Sequence, residues 1–175
     1  FDIFLAATCK FCIGTSSGYW TVATFFKKPI LLTNYLPFLD YYALDDNCMF
    51  LPKKLIDKEK KKIIDIFDLF KFPLGSLSTN IQLDQNKIEY LDNSEDEIYN
   101  STIDMLDFFE KKSRSNELLS LNKKLKTRLD EKNLKKYDFP LKAMANFNSS
   151  FLNQYKDLIK NEKILYDKIL QVMLK

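Results

Sequence analysis

Apolar positions along this chain fall into two kinds of run. FCI at Phe11–Ile13 and PILLT at Pro29–Thr33 are continuous rather than alternating, which predicts strands covered on both faces, as in a parallel sheet flanked by helices. Asp2–Thr8 reads as the end of a helix, and Tyr19 to about Phe26 as a helix entered from Gly18. The stretch from Gly14 to Pro29 is long enough for the helical crossover that parallel strands require, and right-handed by default. NCMFL, ending at Pro52, reads as a third strand, and KIEYL at Lys87–Leu91 as a fourth.

The segments between and after these strands read as helical. A charged run, KEKKK, precedes IIDIFDLF, whose Ile63, Ile64, Phe67 and Phe70 recur at helical spacing before Pro73 and Gly75 break the pattern. In DNSEDEI, Ser94 is placed to cap a helix and Glu97, three residues on, to reach back to its amide, with Glu95 and Asp96 at the positive end of the dipole. Ile98, Met105, Leu106 and Phe109 form the buried stripe of that helix, and Lys111 and Lys112 suit its end. Beyond Ser113 the pattern is helical throughout. Leu118, Leu121, Leu125 and Leu129 make a narrow seam, Pro140 interrupts, and a last helix capped by Ser149 or Ser150 keeps Phe151, Tyr155, Leu158, Ile159, Leu165, Ile169 and Met173 on one face.

The expected architecture is therefore α/β: a Rossmann-like parallel sheet flanked by helices over residues 1–112, and a C-terminal helical extension over 113–175. A chain of 175 residues with 46% apolar and 29% charged residues suits one main core, and suggests neither disorder nor a fibrous repeat. The chain opens on Phe1 within an amphipathic segment, without a basic leader or cleavage pattern, which predicts that it belongs to a longer protein. No apolar run approaches the length of a membrane span.

The net charge of +3 conceals an uneven distribution: Lys111–Asp138 holds ten Lys or Arg against four acidic residues. The near-balance elsewhere argues against a nucleic-acid binder and leaves one basic helix to explain. Cys9, Cys12 and Cys48 are the only cysteines and histidine is absent. A zinc site needs about four ligands, so the CKFC spacing is better read as buried small hydrophobes in a reducing, cytoplasmic compartment, with no metal.

The stretch with candidate chemistry is GTSSG, Gly14–Gly18, lying between the first strand and the first full helix. Small side chains and backbone amides at such a place bind anions, phosphate above all, and ligands of open α/β sheets gather at the carboxyl ends of strands. Gly14 and Gly18 would permit a tight turn and close ligand approach, and Thr15, Ser16 and Ser17 offer hydroxyl donors. Ser and Gly before a helix equally serve as caps, and spacing alone favours that simpler use. No Lys follows the last Gly and the three-glycine spacing is missing, which removes support for the Walker and dinucleotide-binding patterns.

The run FDIFLAATCKFCIGTSSGYWTVATFFKKPILLTNYLP, then MFLPKKL, then IEYLDNSEDEIYNSTIDML, resembles the C-terminal part of a bacterial family of glycosyltransferases of the GT-B kind. The likeness lies in a KFfIGTxSG loop, a KPvLLTN strand, an fiPK segment and a closing dNxxeEI helix, all in order over about residues 1–110. A more distant likeness is to the heptosyltransferase-type domain, from which the chain departs with Tyr19 and Trp20 where a His often follows. The resemblance implies the C-terminal half of a GT-B fold, with the diphosphate of a nucleotide sugar held by Gly14, Thr15, Ser16, Ser17 and Gly18, and Asn34 near the same cleft. It implies no cofactor beyond that donor substrate. Acceptor and base would come from an N-terminal domain of the same protein.

Without histidine, a base inside this chain would have to be a carboxylate such as Asp40, Asp45 or Asp46, against the simpler reading of solvated loop acids. Tyr35, Phe38, Tyr41 and Tyr42 could stack on a base or sugar, though the covering of a core edge is the simpler use. Lys123, Lys124, Lys126 and Arg128 would suit peripheral contact with an anionic membrane, as an enzyme building surface glycans would need, or merely a solvated face. The rival to the transferase reading is a non-catalytic helical interaction module on an α/β scaffold.

Overall fold

A computed structural model describes residues 2–15, 17–36, 45–69, 74–110, 114–136 and 145–160. The protein is α/β, with a four-stranded parallel sheet flanked by helices, an arrangement compatible with a Rossmann-like fold. Its strands are β1 (Cys12–Gly14), β2 (Ile30–Tyr35), β3 (Met49–Pro52) and β7 (Asn146–Phe147), in the order β1-β2-β3-β7. All three pairings are parallel, with Gly14 opposite Leu32, Leu31 opposite Met49, and Phe50 opposite Phe147.

Both faces of the sheet are covered, as the continuous apolar runs require. Leu31 and Met49 point to one face, where Met105 of α5 (Glu95–Phe109) closes a small core with Phe11 and Phe109. Ile30, Leu32, Phe50 and Phe147 point to the other. There they join Ala23 of α2 (Trp20–Phe25), Leu121 and Leu125 of α6 (Asn116–Lys136), Phe151 of α7 (Ser149–Gln154) and Ile159 of α8 (Lys156–Lys160). Phe147 is central to this core, its ring centroid 4.3 Å from Phe50 and 5.1 Å from Phe151. Truncating such a ring to Ala typically costs about 3–5 kcal/mol.

The fourth expected strand forms, but elsewhere. β6 (Ile88–Leu91) pairs antiparallel with β4 (Lys54–Asp57), which pairs on its other edge with β5 (Lys62–Ile63), making a separate three-stranded sheet. The helix expected over IIDIFDLF shrinks to α3 (Ile66–Leu69), because the charged run before it forms the β4–β5 hairpin turn. The Asp57 carboxylate accepts the amide hydrogens of Glu59 and Lys60 at 3.0 and 2.9 Å, and Lys61 takes a left-handed φ of 51°. Phe70 and Pro73 lie outside the described residues. After a 3₁₀ turn at Leu74–Ser76 comes α4 (Asn80–Gln85), which the sequence reading missed. Thr79 and Gln82 form a capping box for it.

The capping box expected at Ser94 is present: its Oγ accepts from the Glu97 amide at 3.2 Å, and the Glu97 carboxylate accepts from the Ser94 amide at 2.9 Å. Lys111 and Lys112 lie outside the described residues. The segment after residue 112 is not purely helical, since β7 adds the fourth strand of the parallel sheet. The cap of α7 is Asn148, whose Oδ1 accepts from Phe151 N at 2.8 Å, rather than Ser149 or Ser150. Ser149 is engaged by Asp104 of α5. Pro140, Leu165, Ile169 and Met173 lie outside the described residues, as does the side chain of Leu129.

An ionic clip joins these parts. Arg114 donates to Asp104 at 2.6 Å, to the Phe147 carbonyl at 2.9 Å and to Met49 Sδ at 3.2 Å, while Asp104 also accepts from the amide and hydroxyl of Ser149. No helix among the described residues is long and apolar enough to cross a membrane.

Candidate functional site

Parallel pairing places the ends of β1 and β2 on one side of the sheet, and the chain leaves β1 there through the small-residue loop. The loop is tied down at its root, where Thr33 Oγ1 donates to the Gly14 carbonyl at 3.3 Å. Its far end is held by Thr21, whose amide donates to the Gly18 carbonyl at 3.2 Å and whose hydroxyl donates to the same oxygen. Between these anchors Thr15, Ser17 and Gly18 are exposed. Ser16 lies outside the described residues.

Among the described residues the loop does not cap the helix. The residue before α2 is Tyr19, itself helical at φ −68° and ψ −35°, and its side chain makes no capping hydrogen bond. The hydroxyls of Thr15 and Ser17 have no hydrogen-bond partner among the described residues, although the Ser17 amide turns back to the Thr15 carbonyl at 2.6 Å. That leaves two exposed hydroxyl donors at a strand's carboxyl end. The six-residue α2 adds only a short dipole behind them.

Gly14 and Gly18 both keep ordinary backbone. Neither has positive φ, so the turn does not depend on them for left-handed backbone. A Cβ on Gly14 would meet Trp20 Cβ at 3.4 Å, an ordinary contact, and one on Gly18 would enter open space. What Gly18 provides is bareness at the surface, which suits close approach by a ligand.

The left-handed residue at this end of the sheet is Asn34, at φ 51°, lying where the β2–β3 register shifts. Its amide donates to Asn93 Oδ1 and its Oδ1 accepts from the Asn93 amide, both at 2.6 Å. Asn93 Nδ2 donates to the Pro52 carbonyl at 3.0 Å. Asn93, which directly precedes the α5 cap Ser94, therefore ties the ends of β2 and β3 to the start of α5. The sequence reading did not anticipate it; its only trace was its place before the capping serine.

Lys53 follows β3 at the same end, 2.6 Å from Asp92 and 3.8 Å from the centroid of the Tyr90 ring. Lys54 pairs with Glu97. Burial alone would raise the Glu97 carboxyl, but the bonds from Lys54 and the Ser94 amide outweigh it, and the net direction is down.

Other expected residues stand elsewhere. Asp45 and Asp46 are exposed and precede β3, at the amino end of the parallel sheet. The loop leaves the opposite, carboxyl end of the sheet, so neither carboxylate stands beside it. Tyr35 is buried and packs edge-on against Phe50 at 6.0 Å, a core contact rather than a stacking platform. Asp40, Phe38, Tyr41 and Tyr42 lie outside the described residues.

All three cysteines are free thiols. Cys48 is buried beneath the Ile30 amide, which donates to its Sγ at 3.3 Å. Burial, with Cys9 nearby, pushes the half-buried Cys12 thiol up, which disfavours the reactive thiolate. Among the described residues, no group of three or more His, Cys, Asp or Glu side chains could hold a metal ion.

In comparisons with protein-family models, curated proteins and solved structures, nothing matches this chain.

Proposed function

We propose that this chain is the donor-binding portion of a glycosyltransferase of the GT-B kind, holding the diphosphate of a nucleotide sugar at Gly14, Thr15, Ser16, Ser17, Gly18 and Asn34. The observation that carries the reading is the pair of exposed hydroxyls of Thr15 and Ser17, without a partner among the described residues, at the carboxyl end of a parallel strand, where α/β sheets bind ligands. The loop's likeness to the KFfIGTxSG segment of such transferases gives the anion its identity. In this reading the acceptor and the base belong to a second domain of the same protein, and the sugar passes to an acceptor such as a surface glycan. The rival reading is a non-catalytic helical interaction module in which the C-terminal helices contact a partner; within it Leu121 and Leu125, each 2% exposed, belong to the scaffold's core and the contact falls on other residues of the tail.

Thermal melts with the diphosphates of uridine, guanosine, cytidine, adenosine and thymidine test this. At least one is expected to raise the melting temperature by binding the folded state, and Ser17→Asp to abolish the rise through charge repulsion. A folded chain that none of the five stabilises would overturn the proposal.

A further inference from the structure

The pairing of Asn34 with Asn93 carries an inference that rests on the donor-binding reading and names how the site is built. A backbone N–H can only donate, so the Asn34 atom facing the Asn93 amide is Oδ1, and the plane of the Asn34 carboxamide is fixed. Its Nδ2 then lies on the other branch of the carboxamide and has no hydrogen-bond partner among the described residues. Asn34 is half-buried. Its neighbour Thr33 bonds the root of the loop, and Gly14 pairs with Leu32, two residues before Asn34. The free donor is therefore at the loop's end of the sheet.

The choice of residue at position 34 adds to this. Asp tolerates left-handed backbone about as well as Asn, and its carboxylate would accept equally well from the Asn93 amide. Only Asn leaves a neutral donor over once that bond is made. A residue held off the usual backbone regions by a dedicated partner is where a preorganised ligand contact is expected.

We propose that Asn93 is a positioning residue that holds Asn34 left-handed and presents its Nδ2 as a fixed hydrogen-bond donor to an acceptor oxygen of the nucleoside diphosphate bound at Thr15, Ser17 and Gly18. Asn93 does not touch the ligand. It acts through Asn34, and its own Nδ2 is committed to the Pro52 carbonyl.

Calorimetric titration of the full chain with the same five nucleoside diphosphates tests this. With the tightest binder, Asn34→Asp is expected to keep the melting temperature and lose affinity by about tenfold or more, as for a hydrogen bond to a charged group. Asn34→Gly, which adopts the same backbone without adding charge, should lose affinity by a similar factor. Asn93→Ala should weaken binding in the otherwise native chain but add nothing in the Asn34→Gly background. A purely structural Asn93 would weaken binding equally in both, and that result overturns the assignment. If the native chain binds a diphosphate and both Asn34 variants bind it equally well, the positioning role fails while the donor-binding reading stands. If no diphosphate binds the native chain, both fail.

Discussion

Asn34 and Asn93, 59 residues apart in sequence, exchange two hydrogen bonds of 2.6 Å that join the end of β2 to the start of α5. Through Asn93 Nδ2 the same pair holds the last carbonyl of β3. One buried side chain thus fixes the carboxyl ends of two strands beside the candidate loop.

Removing that side chain should be costly. Asn93→Ala leaves the Asn34 amide and the Pro52 carbonyl without partners, and each unsatisfied buried group costs about 1–3 kcal/mol. Urea denaturation should show a loss of about 3 kcal/mol. A loss below about 1 kcal/mol would mean that water replaces both bonds.

The clip at Arg114 should behave as a buried pair, with both side chains largely enclosed. Arg114→Ala leaves the Asp104 charge with Ser149 as its one remaining partner among the described residues and should destabilise by about 3 kcal/mol. Adding Asp104→Asn, which removes the stranded charge and can still accept from Ser149, should recover part of that. Equal stability of the single and double variants would contradict the account.

Tyr155 makes stability sensitive to alkali. Burial first, then the charges of Asp65 and Glu97, pushes its hydroxyl up to about 12. The folded state holds the proton more tightly than the unfolded state, so the contribution is complete below the ordinary tyrosine pKa near 10 and is lost as pH rises from about 10 to 12. Tyr155→Phe should melt like the native protein at neutral pH but lack this alkaline loss. Identical profiles above pH ~10 for the two proteins would refute it.

Glu97 works in the opposite direction. Its carboxyl is lowered despite burial, so the stability it brings is present above the ordinary Glu pKa and is lost as pH falls below it. Glu97→Gln can keep the capping acceptor but gives up the ion pair with Lys54. It should cost about 1 kcal/mol or less at neutral pH and flatten the acid limb of the stability curve. An unchanged acid limb would show that other carboxylates set it.

How much of this could be read from the chain depends on the range of each interaction. β1, β2 and β3 were legible because FCI, PILL and CMFL are apolar without interruption, and the α5 cap because Ser94 and Glu97 are three residues apart. Thr79 and Gln82 carry the same capping spacing, but the six-residue α4 is too short to show periodicity. The β4–β5 hairpin was misread as a helix approach because Ile63 and Ile64 fit either period, and the Asp57 carboxylate decides. β7 is two residues long and exists only through its pairing with β3.

The candidate loop was legible as small and polar, but whether its hydroxyls cap the helix or face outward is a matter of geometry. The partner of Asn34 lies 59 residues away, beyond any local pattern.

The central claim is that the loop after β1 receives a diphosphate. Amide nitrogen–proton correlation spectra recorded while the five nucleoside diphosphates are titrated in turn test it most directly. The account predicts that at least one causes saturable shifts concentrated at Thr15, Ser17, Gly18 and the Asn34 side-chain amide. Spectra in which those signals stay fixed while the protein is folded, or in which the shifts gather on another surface, would contradict it.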